Sequence, residues 1–339
     1  MAARLDGLEV DVLVVGGGVT GTGVALDAAS RGLSVLLVEA RDLAAGTSSK
    51  SSKLIHGGLR YLEQLNFGLV REALGERGQL VDELCPHLVQ PLPFLYPLRH
   101  RGWERAYVGA GIALYDGLAI LGGDGLPRHR HYSKRAALER FPSLAPGGLV
   151  GAVEYWDAQV DDARHTMMLM RTAAAQGAEL LTNAEVVAFR GLESGRVTGA
   201  IVHDRETGLR GNVNAGVVVN ATGVWSERTE QLAGQPGLKM RASKGVHLVV
   251  PRNVIDGEGA IITRTENSVL FIIPFGQSWL LGTTDTDWDQ SIDQPIANRN
   301  DVRYVLDQAN AILNTAIAPH DVVGVFSGLR PLIAGNEAV

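Results

Sequence analysis

Cysteine is nearly absent from this chain. Its 339 residues hold one, Cys85, which excludes a disulfide framework and any zinc site that needs two or more thiolates. A single thiol agrees with a reducing compartment. An excess of positive charge is also missing: 31 Lys and Arg stand against 37 Asp and Glu, a formal charge of −6. A general nucleic-acid binder needs a net basic face to displace counterions, so no nucleic acid is expected as a partner. No apolar run reaches the roughly 18 residues of a spanning helix. Residues 1–11 show no basic stretch followed by a long apolar one, so no signal peptide is expected. No cluster of His, Cys, Asp and Glu has convincing metal spacing, and G-x-S-x-G does not occur. What the chain has in quantity is glycine, 41 residues, the residue of tight turns and of close backbone approach to a ligand. Its length suggests two domains and a full core.

The opening carries a specific pattern. VDVLVV at 10–15 is a β-branched apolar run, read as a buried parallel strand. Gly16, Gly18 and Gly21 follow at once in G-x-G-x-x-G order. A helix is expected from Thr20 to about Arg31, closed by Gly32, and a second strand from Ser34 to Val38. Glu39 ends that strand, 39 − 18 = 21 residues beyond Gly18. The three glycines serve different ends. Gly16 makes the tight turn, Gly18 admits a pyrophosphate, and Gly21 lets helix and strand pack closely. The helix N-terminus offers free N–H groups and the positive end of its dipole. Glu39 can accept from ribose hydroxyls and repels a 2′-phosphate. The unit therefore predicts a dinucleotide site that is not of the NADP type.

Residues 47–53 read TSSKSSK and lead into LIHGGLRY at 54–61. So many hydroxyls ahead of a histidine and an arginine are unusual for a plain NAD domain. They read either as a flexible surface loop or as the start of a helix facing phosphate and ring oxygens. Further on, Arg164 to Ala178 reads as a helix with Asp161 and Asp162 at its N-terminal end. Strands are expected at 179–182, 184–189, about 196–204, 209–215 and 217–220, the last running into Ala221-Thr222-Gly223. From Lys239 to Thr284 the chain is β-rich: HLVVP, GAIIT, SVLFIIP and SWLLGTT. Asn300 is placed to cap a helix over 301–313, and 322–326 reads as a last strand.

GGGVTG (16–21), the stretch through TSSKSSKLIHGGLRYLE, WDAQVDDAR (156–164), VVNATGVW (218–225), KGVHLVV (244–250), LLGTTDTDW (280–288) and FSGLRPL (326–332) together identify a family. On these residues the chain resembles the FAD-dependent glycerol-3-phosphate dehydrogenases, within a larger group of flavin oxidoreductases resembling D-amino-acid oxidase. The resemblance implies an α/β fold: a Rossmann-like FAD-binding domain with a second, antiparallel-sheet substrate domain. The FAD domain would take residues 1–90, 149–238 and 321–339, and the substrate domain 91–148 and 239–320. FAD is the implied cofactor. Its contacts would be Gly16, Gly18, Val19, Thr20, Gly21, Glu39, Ala40, Thr47, Ser48, Ser49, Ser51, Ser52, Lys53, Leu54, His56, Val186, Ala221, Thr222 and Gly223. The implied reaction oxidises sn-glycerol 3-phosphate to dihydroxyacetone phosphate. Arg60 and Arg330 would grip the phosphate and Tyr61 would line the site. His247 is the first candidate for proton acceptor and His56 the second, while Thr284 and Asp285 would orient neighbouring groups.

Electrons would pass to a membrane quinone, or to oxygen in the oxidase branch. The resemblance also implies a cytoplasmic protein, peripheral on the inner face of the cell membrane, and allows a homodimer. Residues 106–121, led in by Arg99, His100, Arg101, Trp103 and Arg105, read either as a core helix or as a segment lying on a membrane surface. The resembled family continues past the position of Val339 through another glycine-rich flavin-contacting stretch and a helical domain, so the chain reads as a fragment. Rival readings are an FAD amine or amino-acid oxidoreductase and a catalytically incomplete dinucleotide-binding fragment.

Overall fold

The computed structural model describes residues 5–123, 125–234, 237, 239–265 and 269–334. Residues 1–4, Ser268 of SVLFIIP and 335–339 lie outside them. Two sheets organise the described residues. The first has six strands: Glu179–Leu181, Val35–Val38, Leu8–Val15 and Arg210–Asn220 run parallel, and Gly199–Asp204 and Ala184–Arg190 complete it antiparallel. Alternation along Leu8–Val15 sends Val12 and Val14 to one face and Leu13 and Val15 to the other. The first pair packs on Ala25, Ala28 and Ala29 of the helix Val19–Ser30 and on Met170 and Ala173 of the helix Asp162–Ala175. The second packs with Val186, Ala200, Val202 and Val213. Both faces are thus covered, which is why the parallel strands are apolar throughout.

The second sheet follows the order Thr286–Trp288, Met240–Pro251, Ser278–Gly282, Val269–Phe275, Ala260–Arg264, Gln90–Leu98, Gly151–Gln159 and Leu54–Ile55, with Gly324–Ile333 on Met240–Pro251 and Arg130–Ser133 on Gly151–Gln159. All its pairings are antiparallel except Ala260–Arg264 beside Gln90–Leu98. Alternation again divides the core. Leu248, Ile272 and Leu281 face the helix Arg299–Ile312, while Ile273 and Leu280 face the side where Ile112 and Tyr115 of the helix Trp103–Leu121 are buried.

Several expectations shift in detail. The strands expected at 209–215 and 217–220 are one, Arg210–Asn220, because 210–214 pairs with Gly199–Asp204 while 213–220 pairs with Leu8–Val15 without a break in register. The first helix begins at Val19 rather than Thr20. The helix expected from Arg164 begins at Asp162, because the Asp161 side chain caps it, and ends at Ala175. Asn298, not Asn300, caps Arg299–Ile312: only from 298 does the third residue on, Asp301, complete a reciprocal capping box. The last strand is longer than expected, Gly324–Ile333. The TSSKSSK stretch is neither a helix start nor a free loop but a short 3-10 turn, Thr47–Ser49, followed by bends held by side chains. The helix Trp103–Leu121 buries Gly109, Ile112, Tyr115 and Ala119 and leaves Trp103, Tyr107, Leu114 and Leu121 exposed. No helix among the described residues is long and apolar enough to cross a membrane.

One ion pair sits wholly inside the second sheet's packing. Lys244 Nζ donates to Asp301 Oδ2 at 2.7 Å, both residues being buried, with the Trp288 ring centroid 4.8 Å from the ammonium. Asp301 also closes the capping box, so one carboxylate ties the helix start to the sheet. Removing one partner of a buried pair strands the other. Lys244→Met is expected to lower unfolding free energy by about 3–5 kcal/mol in urea titrations; a change under about 1 kcal/mol would show that Asp301 finds water or another donor.

Candidate functional site

The glycine turn is packed so closely that side chains are excluded. A Cβ on Gly16, whose φ is +113°, would lie 2.5 Å from Ala221 O, and one on Gly21 would lie 1.9 Å from Gly16 O. Ala221-Thr222-Gly223 therefore abuts the turn, and Ala221 N–H donates to Val15 O at 2.9 Å. Gly18 precedes the helix without a capping side chain, and first-turn amides have no acceptor inside a helix. That of Val19 donates to Ser48 Oγ at 2.9 Å. The Glu39 carboxylate accepts from Gly17 N–H and Arg41 N–H, both at 2.7 Å, and so spans turn and strand end. Open amides, a side-chain-free approach at Gly18 and a carboxylate at the second strand fit a dinucleotide's pyrophosphate and ribose. Ala40 follows Glu39 on the same loop; the Val186 side chain is buried in the sheet core.

A seam joins the two sheets beside this turn. Arg41 donates to Asp293 Oδ1 at 2.7 Å and to Asp293 O at 3.2 Å. Its guanidinium lies over the Trp225 ring, 5.2 Å from the centroid, and Trp225 Nε1–H donates to Asp293 Oδ1 at 3.0 Å.

The hydroxyl stretch is pinned residue by residue. Thr47 Oγ1 donates to Leu329 O at 2.7 Å. The Ser49 hydroxyl reaches Gly46 O at 3.5 Å. Ser51 Oγ donates to Asp162 Oδ2 at 2.6 Å, and Lys53 Nζ donates to Asp162 Oδ1 and to Ser49 O. Ser52 Oγ meets His247 Nε2 at 2.9 Å. Leu54 pairs with Gln159. The two ends of the long sheet path thus approach each other, since Ser52 adjoins the strand at one end and His247 lies on the strand next to the other.

Register builds the rest. Along Met240–Pro251 and Gly324–Ile333, Ser243 opposes Arg330 and His247 opposes Phe326. The His247 ring lies flat on Phe326, with centroids 4.9 Å apart and planes at 10°. Its other side is against Gly282, where a Cβ would stand 2.5 Å from the ring. Nδ1 is buried and has no partner among the described residues. Burial, helped by the charges of Arg330 and Lys53, lowers the His247 pKa to about 3, so the ring is neutral at physiological pH. Arg330 is held by Thr283 Oγ1 at 3.2 Å, by Thr284 O at 3.3 Å and by Asp285 Oδ1 at 3.4 Å. Asp285 in turn accepts a short bond from Ser243. Burial lowers the Arg330 pKa; Asp285 opposes this, and the nearby Arg60 charge adds to it. Thr283, Thr284 and Asp285 are thus the holders of an arginine. Arg60 is exposed, lies over the Tyr61 ring at 5.2 Å and makes no ion pair among the described residues. His56 is also exposed; it directly follows the strand Leu54–Ile55 and leads into the turn that carries Arg60.

Sequence reasoning missed the contacts that hold these groups. Ser52–His247, Lys53–Asp162 and Arg330–Thr283 link distant positions, and no local periodicity announces them; in the sequence Asp162 reads only as a residue of a helix N-terminus. A cavity of about 320 Å³ lined by Glu227, Arg228, Met240, Arg241 and Trp288 shares no residue with the arginine and histidine cluster. Among the described residues no group of three or more His, Cys, Asp or Glu is placed to hold a metal.

Comparison with known proteins gives the chain a family. Residues 11–339 match a family described as FAD dependent oxidoreductase. Over 335 residues the chain is 54% identical to glycerol-3-phosphate dehydrogenase 2 of Mycobacterium tuberculosis, covering 98% of this chain and 57% of that protein. It is 38% identical over 347 residues to the mitochondrial glycerol-3-phosphate dehydrogenase of Rattus norvegicus, covering 97% of this chain and 47% of that one. The structure of the Bacillus halodurans glycerol-3-phosphate dehydrogenase complexed with FAD superposes with a TM-score of 0.79 at 31% identity, over 99% of this chain and 60% of that chain. The chain thus spans little more than half the length of the first of these relatives.

The buried imidazole has a consequence for stability. Between its folded pKa of about 3 and the ordinary value of 6.5, the unfolded chain binds a proton that the folded one refuses. His247 therefore contributes full stability above about pH 6.5 and loses it as pH falls, by up to ~1.4 kcal/mol per pH unit. In urea titrations from pH 7 to pH 4, His247→Gln is expected to lose less stability than the parent over the same range. Parallel slopes would mean that the ring protonates without penalty.

Proposed function

Because the chain belongs to the FAD dependent oxidoreductase family, we propose that it forms the cofactor and substrate centre of an enzyme that oxidises sn-glycerol 3-phosphate to dihydroxyacetone phosphate. Residues 1–90, 149–238 and 321–339 would serve the cofactor and 91–148 and 239–320 the substrate, except that Leu54–Ile55, Gly151–Gln159 and Gly324–Ile333 lie in the second sheet and Arg60 and Arg330 are given to the substrate. When bound, FAD supplies the two-electron acceptor for the hydride that leaves C2. The chain's own residues do the rest. The glycine turn and Val19–Ser30 helix start receive the pyrophosphate, Glu39 the ribose, and the 47–54 stretch with Ala221-Thr222-Gly223 frames the remainder.

The single observation that carries the substrate reading is the guanidinium of Arg330, fixed by Thr283, Thr284 and Asp285 on the ladder that also carries His247. Arg330 is held on its threonine ledge, and Arg60, without an ion pair among the described residues, is near enough for its charge to act on Arg330. A phosphate dianion is well matched by guanidiniums, which can bond it bidentately. His247 is assigned the C2 hydroxyl proton, its imidazole being neutral and stacked on Phe326. A bound phosphate would offset the Arg330 charge, and so return part of the basicity that this charge withholds. His56, exposed beside the Arg60 turn, is the second reading.

We further infer transfer of electrons to a membrane quinone. The outward Trp103, Tyr107, Leu114 and Leu121, with Arg99, Arg101 and Arg105 at the helix start, suit a peripheral position at a lipid surface. An anaerobic absorbance spectrum tests the main proposal. Glycerol 3-phosphate should bleach the flavin band near 450 nm, and glycine or proline should not; bleaching by the amino acids alone would reassign the substrate. Arg330→Ala is expected to lower kcat/KM for glycerol 3-phosphate by at least roughly a hundredfold with FAD retained, since a lost charged hydrogen bond costs about 1.5–3 kcal/mol or more. Unchanged kinetics would remove the phosphate from Arg330.

A further inference from the structure

The strand Gly151–Gln159 and the acids around it hold the SSKLIHGG segment along its length. Asp162 takes Ser51 and Lys53. Gln159 and Ala158 pair with Leu54 and Ile55, and Val160 N–H donates to Lys53 O at 3.0 Å. The tie at the HGG end is different in kind, because it runs through a side-chain network with no solvent in reach. Gly57 N–H donates to the Tyr115 hydroxyl at 2.7 Å, and that hydroxyl donates to Asp157 Oδ1 at 2.7 Å. Arg77 pairs with Asp157 and also donates to Trp156 O at 2.9 Å. Tyr115, Arg77 and Asp157 are exposed by only 1%, 1% and 3%, so these bonds have no water to replace them.

The direction of the chain of bonds is determined. A phenol has one proton. Burial and the Asp157 charge hold the Tyr115 pKa well above its ordinary value, so the proton stays on the phenol. It points at Asp157, and the phenol oxygen must accept from Gly57. The fit is also steric: a Cβ at Gly57 would stand 2.5 Å from Leu74 and 2.8 Å from the Tyr115 hydroxyl. Core packing needs only the Tyr115 ring, which meets Tyr155 edge-on at 5.9 Å. The hydroxyl ties the loop to Asp157.

We propose that Tyr115 and Asp157 are positioning residues for the substrate centre: they set the peptide plane at Gly57, and through it the directions in which His56, one residue before, and Arg60, three residues after, reach the substrate. This rests on the proposed oxidation of glycerol 3-phosphate. Without the hydroxyl, a buried N–H loses its acceptor and the peptide turns to find another. A displacement near 1 Å at a substrate-positioning group is enough to lower turnover about a hundredfold.

The test is Tyr115→Phe in the FAD-loaded enzyme. Expected are a fall in kcat/KM for glycerol 3-phosphate of roughly tenfold to a hundredfold, shared between a raised KM and a lowered kcat, faster hydrogen exchange at the Gly57 amide, and FAD affinity within about twofold of the parent. A merely structural hydroxyl would lower the melting temperature and leave the kinetics of the folded enzyme as they were; that result overturns the proposal, as does unchanged Gly57 exchange. A parent enzyme that glycerol 3-phosphate does not reduce sinks the functional reading and this role with it. A parent that is reduced and a variant reduced at the same rate sink the positioning role alone.

Discussion

The ladder between Met240–Pro251 and Gly324–Ile333 is the constraint from which the chemical centre follows. It sets His247 opposite Phe326 and Ser243 opposite Arg330. A slip of one residue would turn every one of these side chains to the other face of the sheet. The aromatic stack on His247 would go, and Arg330 would leave the carbonyl of Thr284 and the hydroxyl of Thr283. Register is held because the same strand alternates Val246, Leu248 and Val250 into the core, all fully buried. The burial of those three apolar side chains and the placement of the charged and titratable ones are one fact read from two sides of a strand.

The buried ion pairs of this protein join residues far apart along the chain. Asp301 serves the helix start and Lys244 together; Asp162 serves Ser51 and Lys53; Asp157 serves Arg77 and Tyr115. In each case one carboxylate satisfies more than one donor, which is how a desolvated acid is kept from being a liability. Arg330 is supported differently, by a carbonyl and a hydroxyl as well as the half-exposed Asp285. Neutral oxygens leave most of its charge available to a ligand.

How much of this is legible in the sequence depends on sequence separation. The βαβ opening is legible because its parts are consecutive and each glycine answers a local steric demand: Gly16 and Gly21 have no room for a side chain. Glu39 stands out for the same reason. The β-rich stretch after Lys239 shows itself through alternation. The helix caps differ from expectation by small offsets because Asn298 and Asn300 are chemically alike and only the reciprocal bond from Asp301 separates them. The union of 209–215 with 217–220 is hidden because a strand that changes partners carries no mark at the change. The ties Gly57–Tyr115, Lys244–Asp301 and Ser52–His247 cross 58, 57 and 195 positions. Nothing in a linear pattern encodes them, although the family motifs contain most of their members.

The Arg41–Asp293–Trp225 seam behaves unlike those buried networks. Its arginine and aspartate side chains are 39% and 47% exposed, and it bridges the two sheets next to the glycine turn. Exposed charges feel dissolved ions, whose screening distance is about 8 Å at physiological strength and shorter in brine. Salt therefore weakens this tie between the two sheets, whereas the desolvated pairs Lys244–Asp301 and Arg77–Asp157 are screened much less. Added salt would thus act first on the join between the sheets and hardly at all on their interiors.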